Sequence, residues 1–145
     1  MAVRLELVRG APVEDLPGAR PLRVLLIEDS LLIREAVAEL IESGGHACIA
    51  AAVDNETDAI AELRGHAYEV VIVDLKLRAG TGFGVLRMLQ DSQADALVIV
   101  FTNFATPAIR KRCAELGATW FFDKSSDFEA IGDLIARHAA QRGLS

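Results

Sequence analysis

Residues 70–74 read VVIVD, four consecutive apolar residues followed directly by an aspartate. A short, continuously apolar run of this kind is typical of a strand in a parallel sheet whose two faces are both covered by helices. Similar runs occupy residues 22–27, 47–52, 97–101 and 120–122. Because longer amphipathic stretches separate these runs, the sequence predicts strand–helix units and an α/β fold with a five-stranded parallel sheet.

The stretches between the runs carry apolar residues at helical spacing. The first helix is predicted between Ser30, whose hydroxyl can cap its start, and Gly44 at its end. Further helices are predicted at residues 55–64, 83–89 and 107–116, and after a capping box formed by Ser126 and Glu129. The chain therefore alternates strand and helix from residue 22 to its end.

The composition is that of one globular domain. The chain has 145 residues, of which 52% are hydrophobic and 25% charged, enough to bury a core without disulfides or structural metals. A net charge of -6 argues against a surface that binds nucleic acid directly. No apolar run reaches the length of about 18 residues needed to span a membrane, so we expect a cytoplasmic protein with no membrane contact.

Residues 1–20 fall outside the repeating units, since prolines and glycines punctuate them. Within them Val3, Leu5 and Leu7 alternate with charged residues, a pattern compatible with either an edge strand or a loosely ordered tail. We therefore assign residues 1–20 to an N-terminal extension and residues 21–142 to the domain.

Polar side chains follow four of the five predicted strands, and parallel strands bring such residues to one edge, where open α/β sheets bind ligands. In chain order these residues are Glu28 and Asp29, Asp74, Thr102, and Lys124. Three neighbouring acids repel one another, and a divalent cation such as Mg²⁺, which prefers hard oxygen ligands, would compensate them. Asp74 is then the candidate nucleophile for phosphoryl transfer, with Thr102 and Lys124 stabilising the transferred oxygens.

These five residues, with 45, 28 and 22 positions separating Asp29, Asp74, Thr102 and Lys124 in turn, resemble the motifs of the response regulator receiver domain of two-component signalling. The resemblance covers residues 22–142. It implies a flavodoxin-like fold of the stand-alone receiver type, with helices on both faces of the sheet.

The resemblance also implies a mechanism. A histidine kinase or histidine phosphotransfer protein would donate the phosphoryl group to Asp74, with Mg²⁺ held by Glu28, Asp29, Asp74 and the main-chain carbonyl of Lys76. Thr102 and Phe121 would be the switch residues. The surface of the fourth helix, fifth strand and fifth helix would then signal to a downstream effector protein or pass the phosphoryl group on in a phosphorelay. This describes a phosphorylatable signalling domain rather than an enzyme, with slow self-dephosphorylation and homodimerisation left open.

The sequence departs from the common family pattern at several positions. Ser125 replaces the usual proline after Lys124, Asn103 stands where a smaller residue is common, and Phe121 lacks the hydroxyl of the frequent tyrosine. The loop at residues 75–82 lacks the usual proline. These departures bear on rates and on switching more than on phosphorylation itself.

Two other functions fit parts of the pattern. A haloacid-dehalogenase-like phosphatase also uses an aspartate nucleophile, but it needs a second acid two positions later, where this chain has Lys76. A receiver-like module that binds a partner without phosphorylation would normally have lost the acceptor or the lysine. Lys76 and Phe104 lie where the family controls dephosphorylation, although simple packing explains both residues equally well.

Overall fold

Five strands form one parallel sheet in the computed structural model, which describes residues 20–144. They are β1 (Leu22–Ile27), β2 (Ala47–Val53), β3 (Val70–Val73), β4 (Leu97–Thr102) and β5 (Trp120–Asp123). Their order, β2-β1-β3-β4-β5, is the flavodoxin-like order, so the predicted fold is confirmed. The predicted extension over residues 1–20 lies outside the described residues apart from Arg20, and so does the alternating pattern within it.

Five helices connect and follow the strands. They are α1 (Leu31–Ser43), α2 (Glu56–Gly65), α3 (Gly82–Asp91), α4 (Pro107–Glu115) and α5 (Phe128–Leu144). Ser30 caps α1 as predicted, because its hydroxyl accepts a hydrogen bond from the Ile33 amide at 3.3 Å. However, α5 begins one residue later than a capping box at Ser126 would place it. Among residues 20–144 no helix combines the length and apolarity that crossing a bilayer requires.

The sheet separates two hydrophobic cores, which explains why its strands are continuously apolar. Along β1, Val24 and Leu26 pack on the face covered by α1 and α5, whereas Leu25 and Ile27 pack on the face covered by α2, α3 and α4. All four side chains are at most 2% exposed. Burying each such side chain contributes about 1.5 to 3 kcal/mol, so both faces hold the sheet rigidly.

The register of the sheet aligns the carboxyl ends of its central strands. Ile27 of β1 pairs with Val73 of β3, and Val73 pairs in turn with Val100 of β4. At the edge, Thr102 pairs with Asp123 of β5. The residues that follow these strands therefore emerge along one rim of the molecule.

Candidate functional site

The acid pair after β1 is held by the start of α1. Glu28 is 1% exposed, whereas Asp29 is exposed to solvent. One carboxylate oxygen of Glu28, Oε2, accepts a hydrogen bond from the amide of Ser30 at 3.0 Å. Since Ser30 also caps α1, the helix fixes the position of the buried acid.

Asp74 follows β3 and is 6% exposed. Its Oδ1 accepts a hydrogen bond from the Leu75 amide at 2.7 Å, which orients the carboxylate. One carboxylate oxygen from each of Glu28, Asp29 and Asp74 lies within 4.8 Å of the others. Three acids this close repel one another strongly unless positive charge is nearby.

Lys124 supplies part of that charge. Its Nζ lies 2.7 Å from Glu28 Oε1 and 2.8 Å from Asp74 Oδ2, and its side chain is only 9% exposed. Burial raises the pKa of Glu28, and the hydrogen bond from Lys124 offsets this only in part. Burial alone would lower the pKa of Lys124, but hydrogen bonds to Asp74 and Glu28 outweigh it and raise that pKa. Three carboxylates against one ammonium leave two negative charges, which suits a divalent cation.

An open pocket of about 540 Å³ gives access to this cluster. Its walls come from the ends of β1, β3 and β5 and from the loops that follow β3 and β4. The lining residues are Glu28, Asp29, Ser30, Ile33, Asp74, Lys76, Asn103, Phe104 and Lys124. Asn103 is exposed here, and the 47% exposed ring of Phe104 forms part of the rim.

The two predicted switch residues lie beside the pocket and do not line it. Thr102 ends β4 and is fully buried, and its hydroxyl accepts a hydrogen bond from the Phe104 amide at 3.3 Å. Phe121 on β5 is half-buried. The guanidinium carbon of Arg110, from α4, lies 4.6 Å from the centre of the Phe121 ring, within the range of a cation–π contact.

The turn after Lys124 is built without the family's usual proline. Every peptide bond among residues 20–144 is trans. Oδ1 of Asp123 accepts hydrogen bonds from the amide and the hydroxyl of Ser125, at 2.9 and 2.7 Å, and these bonds lower the pKa of Asp123. The Asp123 amide donates to Asp127 Oδ2 at 2.9 Å. Local side-chain hydrogen bonds therefore set the direction in which Lys124 leaves β5.

Asp54 is a polar residue at a strand end that the sequence pattern did not identify. The second strand was predicted to end at residue 52, but β2 includes Val53, so Asp54 directly follows it at the same edge of the sheet. Both side-chain oxygens of Asp54 accept hydrogen bonds from Arg78, at 2.9 and 3.1 Å. Applying the strand-end rule to the correct boundary would have found this residue.

Comparison with known proteins identifies one domain family across most of this chain. A family model for the response regulator receiver domain matches residues 24–136. The gliding motility regulatory protein of Myxococcus xanthus is 30% identical over 87% of this chain and 16% of that protein. The transcriptional regulatory protein PdtaR of Mycobacterium tuberculosis is 32% identical over 86% of this chain and 58% of that protein. The chain thus spans a sixth to somewhat over half of these two relatives.

Solved structures show the same architecture. A DNA-binding response regulator of the LuxR family from Staphylococcus aureus aligns with a TM-score of 0.75 and 24% identity, over 81% of this chain and 98% of that one. The receiver domain of sensor histidine kinase PA1611 from Pseudomonas aeruginosa, which has a magnesium ion coordinated in its active site cleft, aligns with a TM-score of 0.70 and 17% identity. That match covers 83% of this chain and 98% of the other. At these identities the likeness establishes the fold.

Proposed function

Because the chain belongs to the response regulator receiver domain family, we propose that it accepts a phosphoryl group on Asp74 from a phosphohistidine donor and signals through the resulting change of shape. One observation carries this proposal: the Asp74 carboxylate lies in an open pocket between the ammonium of Lys124 and two further acids. A carboxylate in that setting can act as the nucleophile and form an aspartyl phosphate.

The oxygen atoms of the pocket fit Mg²⁺. The carboxylates of Glu28, Asp29 and Asp74 would hold the ion together with the main-chain carbonyl of Lys76. These are hard oxygen donors, and the three carboxylates already converge within 4.8 Å. When bound, the ion would supply positive charge that stabilises the oxygens of the transferring phosphoryl group.

The protein's own groups account for the rest of the transfer. A carboxylate oxygen of Asp74 attacks the phosphorus, the P–N bond to the donor histidine breaks, and an acyl phosphate forms on Asp74. Lys124, now bonded to Asp74 Oδ2, can pair with a phosphoryl oxygen instead. The Thr102 hydroxyl accepts from Phe104, so its proton remains able to donate to another phosphoryl oxygen.

Signalling requires a second conformation that phosphorylation favours. The surface formed by α4, β5 and α5 is where the two conformations would differ. α4 buries only one residue, Cys113, and is therefore held lightly against the sheet. Its Arg110 rests on the half-buried ring of Phe121, so a movement of that ring would be felt by the helix. Trp120, 44% exposed at the start of β5, stacks on Phe122 and offers apolar surface on the α5 side of that strand to a downstream effector or a second copy.

Intact-mass measurement after incubation with acetyl phosphate and Mg²⁺ tests the proposal. We expect the wild type to gain the mass of one phosphoryl group and Asp74→Ala to gain none, because the nucleophile is gone. Asp91→Ala, which removes an exposed acid at the far end of α3, should be phosphorylated like the wild type. Absence of any mass gain in the wild type would refute the proposal and favour a module that binds its partner without phosphorylation.

A further inference from the structure

The loop at residues 75–81, here called the acceptor loop, is joined to the turn that follows β2. The Arg78 amide donates a hydrogen bond to the Asp54 carbonyl at 3.0 Å, and the Glu56 amide donates to the Ala79 carbonyl at 3.0 Å. Main-chain hydrogen bonds thus join the acceptor loop to the turn after β2. We call residues Asp54, Asn55 and Glu56 the brace.

Side chains reinforce this junction at Asp54. Arg78 donates from Nε to Asp54 Oδ2 at 2.9 Å and from Nη2 to Oδ1 at 3.1 Å. Asn55 donates from Nδ2 to the same Oδ1 at 2.8 Å. The hydrogen bonds from Arg78 and Asn55 lower the pKa of Asp54 to about 2, so the carboxylate stays ionised well into the acid range. A planar two-bond contact of this kind fixes direction, even where solvent screens its energy.

Glu56 secures the other end of the acceptor loop. Its Oε1 accepts a hydrogen bond from the Thr81 amide at 2.8 Å. Gly80 has a φ of +76°, and a Cβ atom there would lie 2.5 Å from Glu56 Cβ. A Cβ atom at Gly84 would lie 2.1 Å from Glu56 Oε2. The side chain is therefore seated directly on glycine backbone, with no room for an intervening group.

The brace and the residue before it are linked both to the acceptor loop and to the end of β1, which is followed by Glu28 and Asp29. Lys76 pairs with Thr81 in an antiparallel bridge, so the main chain that carries the Lys76 carbonyl is tied to the residue that Glu56 holds. On the other side, the Glu28 amide donates to the carbonyl of Val53, the residue before the brace, at 2.9 Å. The turn after β2 thus contacts both the acceptor loop and the end of β1, where Glu28 and Asp29 lie.

Resting on the proposed function, we infer that Asp54 and Glu56 are positioning residues for metal binding, which hold the acceptor loop so that the Lys76 carbonyl faces the acids. The loop needs restraint from outside, because it lacks the proline usual in the family and contains Gly80, the most conformationally free residue type. Neither residue touches the metal. Each acts by limiting where the carbonyl ligand can lie.

Titration calorimetry with Mg²⁺ on the metal-free protein tests this inference. We expect Asp54→Ala and Arg78→Ala each to weaken binding about fivefold. This is less than the losses of 10- to 100-fold found when a direct hydrogen bond to a metal-binding residue is removed. The reason is that the hydrogen-bonded pair of Asp54 and Arg78 is partly exposed. The double variant should bind no more weakly than Asp54→Ala alone, since that substitution already removes the contact with Arg78. Asp54→Asn, which keeps the side-chain shape, should fall between Asp54→Ala and the wild type.

Two further readouts separate positioning from general damage. The phosphorylation rate with acetyl phosphate should match the wild type at saturating Mg²⁺ and fall only at low Mg²⁺. Amide exchange across residues 75–82 should be faster in metal-free Asp54→Ala, with Asp91→Ala unchanged as the control. Wild-type Mg²⁺ affinity in the Asp54 and Arg78 variants would overturn this inference alone, as would a lower rate at saturating Mg²⁺ with unaltered affinity. No Mg²⁺ binding by the wild type would overturn it together with the proposed function.

Discussion

Lys124→Met is expected to lower the free energy of unfolding by about 3 kcal/mol at neutral pH in the absence of divalent cations. Methionine keeps most of the length of the side chain but removes the ammonium that lies 2.7 Å from Glu28 Oε1 and 2.8 Å from Asp74 Oδ2. Both acids are nearly buried, so their charges would be left without a compensating cation. Urea unfolding monitored by circular dichroism measures the loss.

The loss should depend on pH in a defined direction. The pKa of Glu28 in the folded protein is raised above its ordinary value of 4.5 by burial, so ionising this group opposes folding. The hydrogen bond from Lys124 lowers that pKa. Without it, ionising Glu28 costs the folded protein more free energy. The difference between variant and wild type should therefore be largest at neutral pH and shrink as the pH falls, because Glu28 in the folded protein takes up a proton at a pH above its ordinary pKa of 4.5. A difference that does not change with pH would contradict this explanation.

Mg²⁺ should partly reverse the defect. The ammonium of Lys124 competes for Glu28 and Asp74, so its removal should tighten Mg²⁺ binding about tenfold, which corresponds to about 1.4 kcal/mol of recovered stability. Lys111→Met is the matched control, because Lys111 is exposed on α4. It should change neither the stability nor the Mg²⁺ affinity. Equal effects of the two substitutions would show that the buried contacts of Lys124 are not their cause.

The fold could be predicted from the sequence because its central strands, β1, β3 and β4, are buried on both faces and are therefore almost entirely apolar. All five strands begin at the predicted residue. Three of them end one residue later than predicted. In β4 and β5 the added residues are Thr102 and Asp123, which pair with each other across the ladder. A rule that follows apolarity stops at a polar residue, even where the backbone continues to pair.

Much of the site could be predicted in the same way, because the carboxyl ends of parallel strands lie next to one another at the same edge of the sheet. Glu28, Asp29, Asp74 and Lys124 line one pocket, whereas Thr102 lies beside it with its hydroxyl turned to Phe104. Local sequence does not specify such a side-chain partner.

The contacts between loops could not be predicted from the pattern. The fork between Asp54 and Arg78 joins residues 24 positions apart, in two loops with no periodicity to relate them. The hydrogen bonds from Ser125 to Asp123 also depend on the conformation of the turn. A short run of polar residues does not determine that conformation. Neither the acceptor loop nor the turn at Ser125 has a proline, and side-chain hydrogen bonds link residues of both.

Gly82→Ala is expected to be among the most damaging single substitutions in the domain. A Cβ atom at Gly82 would lie 2.2 Å from the carbonyl oxygen of Asp74 and 3.0 Å from Leu75 Cα. Both are main-chain atoms, so no side-chain rotation can relieve the contact. The Gly82 amide also donates to the Leu75 carbonyl at 2.9 Å, which draws the two segments together. We expect a loss of about 3 kcal/mol in the free energy of unfolding.

The same substitution should impair phosphorylation beyond its effect on stability. Relieving the contact requires the main chain at Asp74 to move, and a displacement of the proposed nucleophile of about 1 Å can cost on the order of 100-fold in rate. The acetyl phosphate reaction, measured well below the unfolding temperature, isolates this effect. Gly65→Ala is the matched control, because a Cβ atom at this exposed last residue of α2 would meet nothing within 4 Å. Alanine there should leave the rate unchanged and preserve or slightly raise stability, since it favours helix over glycine by up to about 1 kcal/mol. If Gly82→Ala instead behaved like Gly65→Ala in both measurements, the close approach of α3 to the acceptor's carbonyl would not be what fixes Asp74 in the pocket.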